Sequence, residues 1–218
     1  KISCKNEIPV ERGLGSSATA ILAGLLAGNT FSTKHLSEEQ ILKLAALREG
    51  HPDNVTAALI GGCVAVLDQE EDVSYFHIPF PPDLKAVTFI PNFGMSTAEG
   101  RKYLAVPFPL QDVLFNTRRV TLLVLAFTTN RLDLLRIATQ DRLHQPRRQK
   151  LFPQMASIFD AALAAGALGA FLSGGGSSII ALVKDNELKI GQAIVDKGAE
   201  VGVKGRIVVL HPNFQGAQ

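Results

Sequence analysis

The stretch that most constrains this chain is Pro9-Val10-Glu11-Arg12-Gly13-Leu14-Gly15-Ser16-Ser17-Ala18-Thr19-Ala20, followed by an Ala/Ile/Leu-rich run through Ala27. Gly13 and Gly15 permit a tight turn and close backbone approach. Ser16 and Ser17 are expected to cap the helix that follows. The start of such a helix offers N–H groups and a partial positive charge, which suit a phosphate. No Lys follows the glycines, so this is not a G-K-[ST] loop. Taken alone, the stretch reads first as an ordinary glycine turn.

The 218 residues allow one large or two small domains, and 46% hydrophobic with 19% charged residues is the make-up of a soluble globular protein. A net charge of +2 marks no surface for nucleic acid or membrane. The basic cluster Arg142 to Lys150 is a solvated face or a pocket for an anion. Cys4 and Cys63 lack metal-ligand spacing and are expected as free, buried thiols in a reducing, cytoplasmic setting. No apolar run approaches membrane-spanning length, and no signal peptide opens the chain. Ile2 to Pro9 reads as a strand already under way, so an N-terminal portion is expected upstream of Lys1.

Downstream, a helix is expected from about Ser17 to Leu26. Ser37-Glu38-Glu39-Gln40 is a capping box opening a helix with Ile41, Leu42, Leu44, Ala45 and Leu47 on its apolar side. Gly50 stops that helix, and Pro52 starts a short one over Asp53 to Leu59. Strands are expected over Cys63 to Leu67, Val73 to Ile78, Leu84 to Ile90, Ala167 to Leu172, Ile179 to Val183 and Gly205 to His211. Further helices are expected over Gln111 to Phe127, from Phe152-Pro153 to Gly166, and over Asn186 to Lys197. Ser96 to Glu99 is a second capping box before Arg101, and Arg131 to His144 reads as broken helix. Pro79 to Pro82 is the candidate linker. This mixture with hairpin-like strand pairs gives an α+β class.

Two further polar clusters accompany the glycine loop. One is Glu49-Gly50-His51-Pro52-Asp53-Asn54, and the other is Ser173-Gly174-Gly175-Gly176-Ser177-Ser178 between two strands. Thr97 with Arg101, and Asp141-Arg142-Leu143-His144-Gln145-Pro146 before Arg147-Arg148, complete the set. In this order the clusters resemble the GHMP small-molecule kinases, and within them the homoserine kinase family. The glycine loop resembles the superfamily's phosphate loop, and the Glu49 to Asn54 run the homoserine kinase signature.

The resemblance implies a two-domain GHMP fold. Residues 1–82 would form an incomplete N-terminal domain like ribosomal protein S5, and 83–218 a ferredoxin-like C-terminal domain. It implies ATP-dependent phosphorylation of the side-chain hydroxyl of L-homoserine, a step towards threonine, by a cytoplasmic homodimer. Pro9, Gly13, Leu14, Gly15, Ser16, Ser17 and Ala18 would hold the nucleotide, and Ser17 and Glu49 a Mg²⁺ ion. Asn54, Asp53 and Glu49 would serve the chemistry; His51, Asp53, Thr97, Arg101, Arg148 and Gly174 would meet the substrate. Asn54 cannot accept a proton, so no strong side-chain base is expected, with Asp53 a weak one at most. An arginine would bind the substrate carboxylate: Arg101 first and Arg148 second, with the Arg147-Arg148 pair, where the family has an aromatic before the Arg, leaving open which of the two reaches the pocket. Ser177 replaces a usual Pro, so a looser loop is expected there. With no upstream segment, weak ATP binding and no turnover are expected of the chain as given. Another GHMP kinase, or a non-catalytic binding relative, is the alternative.

Overall fold

The computed structural model describes residues 3–69, 72–95 and 107–217. By contact the chain forms two units. The first holds Lys1–Ile8, Gly15–Phe80 and Pro212–Gln218; the second holds Pro9–Leu14 and Pro81–His211. The glycine loop is therefore shared, its first half in one unit and its second half in the other.

The first unit contains three helices, α1 (Ser16–Phe31), α2 (Glu38–Glu49) and α3 (Asp53–Ile60), and a hairpin of β1 (Cys63–Gln69) with β2 (Asp72–Ile78). Its core is Ala18 and Leu22 from α1, Ile41, Leu42, Ala45 and Ala46 from α2, and Val55 and Leu59 from α3. Val73 and Tyr75 of the hairpin pack against it. The Ser37–Gln40 capping box forms as expected, and Gly50 ends α2 at φ 84°. The buried side of α2 differs from expectation. Residues 41, 42, 45 and 46 share one face at helical spacing, whereas Leu47 points out, 82% exposed. Ser3 to Ile8 form no strand, because a strand exists only through a ladder and no described strand pairs with them. Cys4 is exposed rather than buried for the same reason, and Cys63 is half-buried.

The second unit is a four-stranded antiparallel sheet of β3 (Lys85–Pro91), β4 (Gly169–Leu172), β5 (Ile179–Val183) and β6 (Gly205–Leu210) in the order β4-β5-β3-β6. Between β3 and β4 lie α4 (Leu110–Thr128), α5 (Leu135–Ala138), α6 (Gln145–Arg148) and α7 (Met155–Ala165); α8 (Glu187–Glu200) joins β5 to β6. A β-α-β-β-α-β sequence in that strand order is the ferredoxin-like split βαβ arrangement. Its core joins Val87 and Phe89 of β3, Ile179, Ala181 and Val183 of β5, Met155, Ile158 and Ala162 of α7, and Ile190 and Ile194 of α8. Among the described residues no helix is long and apolar enough to cross a membrane.

Candidate functional site

In the second unit, the first half of the glycine loop is fastened by its carbonyls. Glu11 O accepts from Met95 N at 3.0 Å, and Arg12 O accepts from Ser178 N at 3.1 Å. Gly13 O accepts from Ser173 Oγ at 2.8 Å. Gly13 adopts φ 70°, and a Cβ there would lie 1.9 Å from Ser173 O, so only glycine fits. Gly174, at φ 48°, approaches from the other glycine loop, with its Cβ position 3.3 Å from Gly13 O. Ser177 is fully buried and its hydroxyl donates to Phe93 O. That bond ties the second loop where the sequence led us to expect looseness. Pro9 and Leu14 are half-buried.

In the first unit, the second half of the loop opens α1. The expected serine caps do not form. Gly15, in the left-handed region at φ 77° and ψ 19°, is itself the N-cap, so Ser16 and Ser17 are already helical and their hydroxyls turn elsewhere. Ser16 Oγ accepts from Asn6 Nδ2 at 3.2 Å. Ser17 Oγ donates to Glu49 Oε2 at 2.7 Å. Ala18 is fully buried and anchors the helix start in the core.

Glu49 is the last residue of α2, and the chain reverses through Gly50 into α3. There His51 Nδ1 lies 2.7 Å from Asp53 Oδ1. The same oxygen accepts the Asn54 backbone N–H at 2.8 Å. The first unit thus brings together Ser17 with Glu49, and His51 with Asp53 and Asn54. The Ser17 hydroxyl and Glu49 carboxylate are two adjacent hard oxygen donors, a pair that suits Mg²⁺. No group of three or more His, Cys, Asp or Glu residues that could hold a metal occurs among the described residues.

The two adjacent arginines part company. Arg148 is 2% exposed, and its Nε donates to His144 Nε2 at 3.2 Å. Arg147 donates from Nη2 to Pro107 O at 3.1 Å and stacks 3.6 Å above the Phe108 ring. Asp141 organises this run: its carboxylate accepts the backbone N–H groups of Leu143, His144 and Gln145 and the side-chain amide of Asn116. Burial, and then the neighbouring Arg148 charge, push the His144 pKa down. Thr97 and Arg101 lie outside the described residues.

The sequence does not single out Asn6, which bonds Ser16, or Arg12, whose guanidinium reaches the distant Pro91 and Asn92 carbonyls. One cavity borders the Asp141 run, and another lies away from the glycine loop and the Glu49 to Asn54 run. The first, of about 420 Å³, is lined in the second unit by Arg136, Asp141, Gln145 and Phe159 among others. The other, of about 430 Å³, is lined in the first unit by Glu38, Leu42, Asp72 and Tyr75 among others.

Residues 1–62 match the GHMP kinases N terminal domain, and residues 123–199 the GHMP kinases C terminal domain. A homoserine kinase of Caldicellulosiruptor bescii is 49% identical over 186 residues, which are 85% of this chain and 61% of that protein. A homoserine kinase of Persephonella marina is 41% identical over 217 residues, 100% of this chain and 72% of that protein. The crystal structure of homoserine kinase from Cytophaga hutchinsonii aligns with a TM-score of 0.88 at 31% identity, covering 97% of this chain and 69% of that one.

Proposed function

This chain belongs to the homoserine kinase family of the GHMP kinases, and from that premise we propose that it transfers the γ-phosphoryl group of ATP to the side-chain hydroxyl of L-homoserine. One observation carries the reading: the Ser17 hydroxyl, just past the glycine loop, bonds Glu49 at 2.7 Å, at the head of the Glu49 to Asn54 run. In this reading residues 1–82 act as the N-terminal domain and 83–218 as the C-terminal one, in a cytoplasmic homodimer.

Phosphoryl transfer needs alignment and charge neutralisation more than covalent help. Backbone N–H groups from Gly13 to Ser17 hold the β- and γ-phosphates, with Pro9 and Ala18 setting the loop's ends. Ser17 and Glu49 would hold Mg²⁺, which would supply charge neutralisation at the phosphates. Asn54 and Asp53 orient the homoserine hydroxyl, and His51 fixes Asp53 through their 2.7 Å contact. The hydroxyl oxygen bonds the γ-phosphorus as the bond to the ADP oxygen breaks, and the hydroxyl proton passes to the transferred phosphoryl group. Thr97, Arg101 and Arg148 are read as substrate contacts, the guanidinium suiting the carboxylate. Gly174 lines the substrate side by its lack of a side chain.

The test is ADP release by the protein expressed from its complete reading frame, with L-homoserine, mevalonate, shikimate and galactose as acceptors. Turnover is expected with homoserine, and Glu49→Gln is expected to lower kcat about 100-fold, the size of effect seen when a charge-stabilising group is lost. Turnover with another acceptor alone overturns the substrate, and ATP binding without turnover on any acceptor overturns the enzyme. Asp53→Asn is expected to raise the KM for homoserine; a collapse of kcat would make Asp53 the base.

A further inference from the structure

Arg12 lies inside the glycine loop, yet its side chain is spent on backbone. Nε donates to Pro91 O at 2.9 Å, Nη2 to Asn92 O at 3.1 Å, and Nη1 to Val10 O at 3.1 Å. Pro91 ends strand β3, whose Val87 and Phe89 are wholly buried in the sheet's core. The guanidinium therefore ties the loop to the end of a strand that runs through the second unit's core. Room for it is built in: a Cβ on Gly94 would lie 2.6 Å from Arg12 Nη1. The flanking residues are both left-handed, Glu11 at φ 57° and Gly13 at φ 70°. That alternation lets three successive carbonyls be held by Met95 N, Ser178 N and Ser173 Oγ. With the carbonyls engaged, the N–H groups of Gly13 and Leu14 take no protein acceptor among the described residues. Successive backbone donors left over beside left-handed residues suit an anion-binding concavity.

From this geometry we infer that Arg12 is the positioning residue of the phosphate loop, clamping its first half to the end of β3 so that the Gly13 and Leu14 N–H groups stay aimed at phosphate oxygens. The inference rests on the phosphate-loop reading above and deepens it. Arg12 acts through the loop and not on the substrate, because each of its three nitrogens already donates to a loop or strand-end carbonyl. Lysine replaces it only in part, since one ammonium nitrogen cannot span three carbonyls as a planar fork does.

The experiment compares binding of ATP and of adenosine to the unaltered protein and to Arg12→Met and Arg12→Lys, with KM for homoserine and thermal midpoint measured alongside. Adenosine reports the nucleoside pocket without phosphates. Arg12→Met is expected to lose at least about tenfold in ATP affinity, the worth of one charge-assisted hydrogen bond. Adenosine affinity and KM for homoserine are expected to hold, and Arg12→Lys to fall between. A lower thermal midpoint with an unchanged ATP-to-adenosine ratio makes Arg12 a structural residue only and overturns the inference. An unaltered protein that binds both ligands alike removes the phosphate-loop reading itself, and the inference with it. If Arg12→Met does not fold, Arg12→Lys decides on the same ratio.

Discussion

His144 is held neutral by its surroundings. Burial disfavours its charged form, Arg148 disfavours it further, and Asp141 opposes both more weakly. Its Nε2 accepts from Arg148 Nε, which it can do only unprotonated. Its folded pKa thus lies below the ordinary value of 6.5. Between those two pKa values the unfolded chain binds more protons than the folded one, so stability rises with pH there and falls as pH drops below the ordinary value. The thermal midpoint is expected to fall between pH 8 and pH 5.5, and His144→Gln, which keeps an acceptor for Arg148, is expected to remove His144's share of that fall. Identical pH slopes for the two proteins would refute the account. Side-chain roles of this kind were only partly legible in the sequence. Ser16 and Ser17 were marked by residue type as caps, but a left-handed glycine took the cap position and sent one hydroxyl to Asn6 and the other to Glu49. Composition names which groups can bond; it does not say which partner three-dimensional packing delivers. The sequence favours Arg148 over Arg147 by its place after Gln145-Pro146, but leaves open which of the two reaches the substrate. Packing buries Arg148 and lays Arg147 on Phe108.

Elements with local punctuation were legible, and α2 is the clearest. Ser37 N donates to Gln40 Oε1 at 2.9 Å, and Gln40 N donates to Ser37 Oγ at 3.3 Å. The two bonds satisfy donors that a helix start otherwise leaves open. Ser37→Ala is expected to cost about 1 kcal/mol, read as about fivefold faster hydrogen exchange across the first turns of α2. Exchange unchanged there would mean the cap is replaced by water at no cost. The glycine stops at Gly50 and Gly166 were equally legible, because both residues take the left-handed conformation that ends a helix. The expected strand before Pro9 was not. Its residues alternate suitably, but alternation measures fitness for a sheet and does not supply the neighbour that makes a ladder. Helix α1 also runs on to Phe31, past the expected end at Leu26, because Ala27, Gly28 and Asn29 carry no breaker strong enough to stop it.

At the scale of the molecule, the proline run at 79–82 coincides with the chain's passage from one unit to the other between Phe80 and Pro81. Nothing local could have assigned Pro9–Leu14 to the second unit or Pro212–Gln218 to the first. Those assignments are made by contacts between residues far apart in sequence. The C-terminal tail is a case with a measurable consequence. Asn213 O accepts from Gly62 N at 2.8 Å, and Ala217 N donates to Ala58 O at 3.0 Å and Leu59 O at 3.1 Å. The fit is close enough to require glycine on both sides. A Cβ on Gly61 would lie 2.6 Å from Gln215 C, and one on Gly216 only 1.7 Å from Leu59 O. The tail thus satisfies the carbonyls at the end of α3 and the N–H that leads into β1, groups that otherwise need water or a cap. Ending the chain after His211 is expected to speed hydrogen exchange over the end of α3 and the start of β1. Exchange in β5, within the other unit's core, is expected to stay as it was. Equal loss of protection in both places would mean that the tail supports the whole molecule rather than one unit. Unchanged protection at α3 would mean that its packing there contributes nothing. Gly216→Ala in the untruncated chain is expected to reproduce the truncation locally, since the added methyl group displaces the tail without removing it.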